Sequence, residues 1–154
     1  MTSIEHKAYI FGSIFVLSNK LQALGDKVSD YMSIKQWLLI AAITKSGKES
    51  VSMSEAAALT GTSYQNVKKL AVILQEQGFL KMQRDPSDAR VVSISLTSQC
   101  REYFSRREGI ERDFLQSLFE GIDEKTVAQL YEGIRSLNEN VLALSQTKVD
   151  ASTR

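Results

Sequence analysis

Apolar residues recur every three or four positions along most of the chain, a spacing that predicts amphipathic helices. In the first stretch, from residue 4 to about 24, they occupy so much of the helical surface that we expect a helix buried on more than one side. The same spacing predicts a second helix over 34–45, a third that ends near Leu59 and a fourth that begins after Ser63.

Serines stand where two of these short helices should start, each with Gln or Glu three residues later. Ser33 with Gln36, and Ser52 with Glu55, have the spacing of a capping box, in which each side chain bonds a backbone amide of the first turn. Gly61 follows the third helix and suits the left-handed backbone that ends a helix. These signals predict short helices joined by tight turns.

After Gly78 the apolar period falls from about 3.6 residues to 2, which is the alternation of β-strands. The alternating runs FLKMQ and VVSISL flank the segment RDPSDAR, which contains the only proline of the chain. We therefore predict an antiparallel β-hairpin with a charged loop at its tip.

Two further helices are predicted after the hairpin. Thr97 can cap the first, which runs to Gly121, and Asp123 begins the second. Apolar residues of the last helix alternate at steps of three and four, the pattern of a helix that packs along another helix. These residues are Val127, Leu130, Ile134, Leu137, Val141 and Leu144. The predicted fold class is therefore mainly α with a small antiparallel β-hairpin.

The order of elements divides the chain into four segments. Residues 1–30 hold the N-terminal helix, 31–99 the three short helices and the hairpin, 100–147 the C-terminal helices, and 148–154 a polar tail that we expect to be flexible. The terminal helices carry more apolar surface than the small central segment can cover. We expect them to pair with a second copy of the chain; the alternative is that they cover the central segment of their own chain.

Composition and charge exclude several classes of protein. The 154 residues suffice for one compact domain, or a small domain that shares elements with a partner, and exclude a large multi-domain enzyme. Nineteen basic and eighteen acidic residues leave a net charge of +1, so any nucleic-acid surface must be local. The N-terminus lacks the order of a signal peptide and no apolar run approaches about 18 residues, so we expect a cytoplasmic protein without a membrane partner.

The side chains that most enzymes and metal sites need are scarce in this sequence. His6 is the only histidine, so neither a Ser/His/Asp triad nor a His-rich metal site can be assembled, and no Gly-rich phosphate loop is present. We expect no enzyme activity, no cofactor and no metal. The single cysteine, Cys100, is interpreted as a small packed hydrophobic residue, with redox sensing as the less favoured hypothesis.

The central segment has the order of a winged helix-turn-helix: a short helix, a glycine turn, a second helix and a hairpin. In such a unit the N-terminal residues of the second helix can reach base edges in the DNA major groove. The candidate DNA-binding residues of this helix are Ser63, Tyr64, Gln65, Asn66, Lys68 and Lys69. Its apolar side, with Val67, Leu70 and Leu74, is expected to pack on the other helices.

The hairpin adds Arg84, Ser87, Asp88 and Arg90 to the candidate DNA-binding residues. Residues 62–95 contain five basic and three acidic side chains, a net charge of +2 gathered at the helix and the hairpin. Asp88 and Arg90, two positions apart, would share a face of an extended strand, and the carboxylate can fix the guanidinium fork. The alternatives are a solvated lysine face and an ordinary loop salt bridge.

Three segments, MSIKQWLLI, VSMSEAAALTGTSYQNVKKLAVILQEQGFL and RDPSDARVVSISLT, resemble in this order the MarR family of winged-helix transcription regulators. The helices before and after them are similar to that family's dimerisation region, so the resemblance covers nearly the whole chain. Its most specific part is the wing, Asp-Pro-x-Asp-x-Arg followed by alternating residues and Leu-Thr. The resemblance implies a winged helix-turn-helix with N- and C-terminal dimerisation helices.

The resemblance also implies a function. A homodimeric, sequence-specific transcription regulator is expected, in the role of a repressor, whose recognition helices enter successive major grooves of a palindromic double-stranded DNA operator. In this family the wing arginine typically approaches the minor groove and the aspartate helps to hold it, roles that would fall to Arg90 and Asp88. The alternative is a dimeric winged-helix module for protein interaction, with weak or no DNA binding.

Many members of the family are released from DNA by a small, often aromatic or anionic effector, which makes such a molecule a candidate partner. Phe11, Phe15, Tyr31 and Trp37 are candidates to line its cavity. Aromatic residues on apolar helical faces are more often part of the core, so no residue is assigned to an effector.

Overall fold

The computed structural model describes residues 2–28 and 31–152, with side chains as far as residue 147. The elements, in chain order, are α1 (Ser3–Val28), α2 (Ile34–Lys45), β1 (Val51–Ser52), α3 (Met53–Thr60), α4 (Tyr64–Glu76), β2 (Leu80–Arg84), β3 (Val92–Leu96), α5 (Ser98–Leu118) and α6 (Glu124–Ser152). The predicted fold class, mainly α with a small antiparallel sheet, is confirmed. The chain divides into two compact units, residues 1–106 and 107–154.

Serines cap the short helices of the first unit as the sequence predicts. At α2 the capping box is complete, since Gln36 N–H donates to Ser33 Oγ at 3.3 Å and Ser33 N–H donates to Gln36 Oε1 at 2.7 Å. At α3 only half of the box forms: Ser52 Oγ accepts from Glu55 N–H at 3.0 Å, but the Glu55 carboxylate pairs with Lys48 Nζ. The ion pair draws the carboxylate away from the helix start.

Three antiparallel strands form a sheet of order β1-β3-β2. β2 and β3 pair along their whole length and form the predicted hairpin. β1 pairs with the other side of β3, where Val51 lies opposite Ile94. The sequence did not predict β1, because two residues show no period. β3 is therefore held from both sides, whereas β2 lies at the edge of the sheet.

The core of the first unit lies between α2, α3, α4 and the sheet. Its fully buried side chains include Leu39, Ile43, Val51, Met53, Val67, Leu74 and Ile94. The predicted apolar side of α4 is confirmed, since Val67 and Leu74 have no exposed surface and Leu70 packs against the core. This contiguous cluster holds α4 against the rest of the unit.

α1 differs from its prediction in two respects. It continues through Gly25 to Val28 instead of ending near residue 24. Gly25 is also its only buried residue among those described, while large apolar side chains such as Phe11 and Ile14 are exposed. The expectation of burial on more than one side is wrong for a single chain, because most of the apolar surface of α1 faces outward.

The C-terminal end of α1 is fastened to the start of α2. A Cβ atom at Gly25 would lie 2.7 Å from Ile34 Cδ1, so a larger residue would displace Ile34. The neighbouring Asp26 Oδ1 accepts a hydrogen bond from Ile34 N–H at 2.7 Å. A carboxylate at this position satisfies one of the free amides of the first turn of α2.

The second unit consists of the C-terminal part of α5 and all of α6. Asp123 begins α6 as predicted, since its Oδ1 accepts from Thr126 N–H at 2.8 Å, and this bonding lowers the pKa of its carboxyl. The predicted seam is exposed in the single chain, with Ile134 at 66% and Leu144 at 65%. The helix continues to Ser152, into the predicted tail, and residues 153–154 lie outside the described part of the chain.

Among the described residues, no helix is both long enough and apolar enough to cross a bilayer.

Candidate nucleic-acid interface

α3, α4 and the turn of residues 61–63 form the helix-turn-helix. Gly61 follows α3 with φ +66°, the left-handed conformation that favours glycine, as the sequence predicts. Thr62 N–H donates to the Ala57 carbonyl at 3.1 Å, and Ser63 then caps α4. Because each turn residue has a defined partner or role, the position of α4 relative to α3 is closely constrained.

The side of α4 opposite its buried face carries polar side chains. Gln65 and Lys69 lie four residues apart, and so on one face, with Lys68 beside them. All three side chains are exposed. Tyr64, in the first turn, is partly exposed, at 37%. The helix therefore presents the cationic groups of Lys68 and Lys69 and the amide of Gln65 to the outside over its first two turns.

Ser63 and Asn66 are partly occupied in forming the start of α4. Ser63 Oγ accepts from Asn66 N–H at 3.2 Å, and Asn66 Nδ2 donates to Thr62 Oγ1 at 3.1 Å. The predicted residues of this helix thus fall into two groups. Ser63 and Asn66 stabilise the turn, whereas Gln65 and the two lysines project from it.

The hairpin is connected to α4 by a glycine turn and by one side-chain bond. Gly78 has φ +82°, and its carbonyl accepts from Thr97 Oγ1 at 2.6 Å, which ties the base of β2 to the end of β3. From the last turn of α4, Gln75 Oε1 accepts a hydrogen bond from Met82 N–H at 2.7 Å. The sequence did not point to Gln75, because a bond from a side chain to the backbone of another element leaves no periodic signal.

Asp85 folds the loop between β2 and β3. Its Oδ1 accepts from Ser87 N–H at 2.7 Å, from the Ser87 hydroxyl, and from Asp88 N–H at 3.3 Å. Its own N–H donates to the Val91 carbonyl at 2.9 Å. The hydrogen bonds from Ser87 lower the pKa of the Asp85 carboxyl. Asp85 was not among the predicted site residues, although Asp before Pro is a common turn signal.

Asp88 and Arg90 form a two-pronged ion pair in this loop. Arg90 Nε donates to Asp88 Oδ1 and Nη2 donates to Oδ2, both at 3.0 Å, and Arg90 N–H donates to Oδ1 at 3.1 Å. The expected extended strand is wrong here: Ala89 and Arg90 form a turn, and the bond to the Arg90 amide brings the two side chains together. The pairing lowers the pKa of Asp88 and raises the pKa of Arg90.

The ion pair leaves Arg90 able to make further contacts. Its side chain is 90% exposed, and the pair occupies two of the five N–H donors of a guanidinium group. Arg84 adds a second exposed cation at the end of β2, while the Ser87 hydroxyl is directed to Asp85. The loop therefore presents the Arg90 guanidinium in a fixed orientation, and Arg84 lies at the end of the strand that precedes the loop.

Cys100 lies in the core at the start of α5. Its N–H donates to Thr97 Oγ1 at 3.1 Å, so Thr97 caps α5 as predicted. Its side chain has no exposed surface, and burial raises the pKa of the thiol to about 11. The interpretation of Cys100 as a packed hydrophobic residue is thus confirmed. Within the described ranges, no group of three or more His, Cys, Asp or Glu residues is placed to hold a metal ion.

The four aromatic residues considered for an effector cavity differ in their surroundings. Trp37 packs against the core. Phe11, Phe15 and Tyr31 are exposed, and the rings of Phe11 and Phe15 meet edge to face with centroids 5.2 Å apart. For Phe11 and Phe15 the expected core position is wrong in a single chain, because both side chains lie on the exposed part of α1.

Comparison with known proteins links this geometry to one family. Residues 32–91 match the model of the MarR family. The HTH-type transcriptional repressor IacR of Pseudomonas putida is 21% identical over 113 residues, which span 73% of this chain and 66% of that protein, just under two thirds of its length.

Solved structures of transcriptional regulators share the fold. The regulator BldR from Sulfolobus solfataricus has a TM-score of 0.80 at 17% identity, over 91% of this chain and 99% of its own. BpsR from Bordetella bronchiseptica, solved to explain how 6-hydroxynicotinic acid regulates its DNA binding, has a TM-score of 0.69 at 18% identity, over 82% and 91% of the two chains.

The matched range begins just before α2 and ends at the last residue of the wing loop, so it contains the helix-turn-helix and the ion pair of Asp88 and Arg90. The solved structures extend the shared fold to the flanking helices, since they cover up to 91% of the chain. Residues 32–91 are therefore similar to the MarR family, and most of the chain shares its fold with solved winged-helix transcriptional regulators.

Proposed function

We propose that this protein is a sequence-specific, double-stranded DNA-binding transcription regulator that acts as a homodimer on a palindromic operator. The observation that carries the proposal is the pairing, in one compact unit, of a helix with an exposed polar face and a wing with an oriented arginine. The match of residues 32–91 to the model of the MarR family supports it. The proposed activity is binding rather than catalysis, and a DNA partner fits a cytoplasmic location.

In this proposal α4 enters the major groove. Gln65 can pair bidentately with adenine, and Lys68 and Lys69 can contact guanine or neutralise phosphate. Ser63 and Asn66 would contact DNA with those donors and acceptors that are not already used in the turn. Tyr64 would contact DNA with the edge of its ring. The buried face of α4 keeps its register, because rotation of the helix would expose Val67 and Leu74.

The wing supplies the second contact. A narrow minor groove has an enhanced negative potential that attracts an arginine side chain. Asp88 restricts the rotamers of Arg90 before DNA is bound, so less conformational entropy is lost on binding. The negative charge of Asp88 also offsets part of the positive charge of Arg90. The pair therefore contributes more to the orientation of Arg90 than to non-specific attraction between the protein and DNA.

A homodimer is proposed from the exposed apolar surface of the terminal helices. Soluble monomers rarely expose large contiguous apolar patches, and such patches mark interaction sites. Burying each large side chain is worth about 1.5–3 kcal/mol. Exposed residues of this kind include Ile10, Phe11, Ile14 and Phe15 on α1, and Leu130, Ile134, Val141 and Leu144 on α6. Two copies of α4 would then meet half-sites about 34–36 Å apart.

Repression and effector control are proposed by analogy with named relatives. The relative from P. putida is a transcriptional repressor, and the DNA binding of BpsR is regulated by 6-hydroxynicotinic acid, an aromatic anion. A site for a small aromatic or anionic molecule is proposed at the contact between copies, next to Phe11 and Phe15, and at Tyr31, which is exposed in the single chain.

Binding of the full chain to its own upstream DNA, followed by fluorescence anisotropy over a salt series, tests the DNA-binding proposal. Affinity should fall steeply with salt, because each phosphate neutralised by a cation releases counterions. Lys68→Ala should lower both the affinity and the salt slope. Weak binding that is equal in wild type and variant, and that does not favour the upstream sequence, would instead support a protein-interaction module.

The dimer is tested separately by sedimentation. Ile134→Glu places a charge on the exposed apolar seam of α6 and should shift the protein toward monomer. Ser136→Glu, two residues away and outside the seam, is the matched control and should leave the dimer intact. If both variants sediment like the wild type, the seam of α6 is not the contact between copies.

A further inference from the structure

The outer edge of the wing is in contact with the helix proposed to read DNA. β2 is the edge strand of the sheet, and the residues on either side of it bond across the hairpin, through the Phe79 carbonyl to Thr97 N–H and through the Asp85 N–H to the Val91 carbonyl. Since backbone N–H and C=O groups alternate in direction along a strand, those of residues 79, 81, 83 and 85 point toward β3, whereas the N–H of Met82 points away from it. The partner of the outward Met82 N–H is Gln75 Oε1, at 2.7 Å.

The position of Gln75 gives this bond a mechanical consequence. β3 is supported on its other side by β1, but only as far as Ser93 and Ile94. On the outer side of the sheet, Gln75 bonds β2 at Met82, the residue opposite Ile94. From Met82 to the loop at Asp85 three residues of strand span about 10 Å, so a rotation of about 10° at Met82 would move the loop by about 2 Å.

We propose that Gln75 is a positioning residue that sets the angle of the wing relative to α4, so that Arg90 and the recognition face of α4 meet DNA together. The inference rests on the proposed DNA-binding function. Gln75 itself contacts no base in this scheme. It acts through the wing, by fixing an edge strand that would otherwise tilt and by reducing the ordering that binding requires.

The first test is direct. Amide hydrogen exchange of Met82, measured by NMR on the full chain, should be slow in the wild type and faster in Gln75→Met, which keeps the side-chain length but removes the strong acceptor. Gln77→Met is the matched control, because the Gln77 amide donates to the Tyr31 carbonyl rather than to the wing. Equal exchange of Met82 in wild type and Gln75→Met would overturn the inference.

The second test is a double-mutant cycle on operator DNA with Gln75→Met and Arg90→Ala. The net value of one hydrogen bond corresponds to about a two- to tenfold change in an equilibrium constant, so Gln75→Met should weaken binding by that factor. The loss should be much smaller when Arg90 is already alanine, because the oriented arginine that the wing positions is then absent. Gln75→Glu retains an acceptor oxygen and should restore the coupling to Arg90, whatever its added charge does to both backgrounds.

The outcomes separate the inference from the function on which it rests. A loss of the same size in both backgrounds would mean that Gln75 acts on α4 or on folding, and would overturn the inference while leaving DNA binding in place. Thermal unfolding of each variant identifies a loss caused by misfolding. If the wild type itself shows no preference for its upstream DNA, the proposed function fails, and the inference fails with it.

Discussion

Replacing Arg90 separates the contribution of its charge from that of its orientation. The side chain is 90% exposed and its partner Asp88 is 38% exposed, so Arg90→Ala should leave the fold and the dimer intact. Each positive charge brought to DNA contributes about 0.9 to the slope of log affinity against log salt, so a dimer that loses two should show a slope smaller by about 1.8. The affinity for operator DNA should fall about fivefold or more.

Arg90→Lys is the matched variant, since it keeps the charge but not the planar fork that Asp88 holds. Its salt slope should equal that of the wild type, while its preference for operator over unrelated DNA of equal length should fall. Anisotropy titrations of both DNAs at several salt concentrations give both quantities. An unchanged operator preference in Arg90→Lys would show that orientation by Asp88 contributes nothing. An unchanged salt slope in Arg90→Ala would show that Arg90 brings no charge to the DNA.

Three further outcomes are expected from the burial and hydrogen bonds of single side chains. Leu74→Ala, at a fully buried position of α4, should lower the free energy of unfolding, measured in urea, by about 2–5 kcal/mol. The control Ile73→Ala changes a neighbouring residue that is 43% exposed and should lower it much less. Equal losses would contradict the assigned core face of α4. The thiol of Cys100 has a pKa of about 11, so roughly one molecule in ten thousand carries a thiolate at pH 7. The native protein should therefore resist thiol reagents, and peroxide should not release it from DNA. Rapid labelling of Cys100 without denaturant would contradict this. Hydrogen bonds in the folded loop lower the pKa values of the Asp85 and Asp88 carboxyls from 3.8, so the stability they contribute is present above that pH and is lost as the pH falls through the lowered values. NMR chemical shifts of the loop amides should therefore stay constant from about pH 5 to 8. A transition within that range would count against the described bonds.

The elements that local chemistry specifies were predictable from the sequence. Ser33 with Gln36, Gly61 and Asp123 mark helix ends through side-chain bonds or backbone conformations that depend only on neighbours in the chain. The change of period after Gly78 located the hairpin for the same reason. The proposed contact residues could be named early because the order of these local elements defines a winged helix.

Features that depend on distant parts of the chain were not predictable. The two-residue β1 exists because β3 offers an edge, and Gln75 matters because β2 passes close to α4; neither leaves a pattern in the sequence. The apolar stripe of α1 correctly indicated a helix but wrongly placed it in the interior. Periodicity shows that a face is apolar and does not show whether the same chain covers it.

The contacts of Gly25 and Asp26 with Ile34 join α1 to the first turn of α2. This joint has little slack, since the Ile34 side chain lies directly on the Gly25 backbone and the Asp26 carboxylate holds the Ile34 amide at 2.7 Å. Displacement of α1 would be transmitted to the first turn of α2 rather than absorbed at the junction. Substitution of Gly25 would therefore alter the position of α1 relative to α2. In the proposed dimer it would change the spacing between the two copies of α4 without replacing any proposed DNA-contact residue.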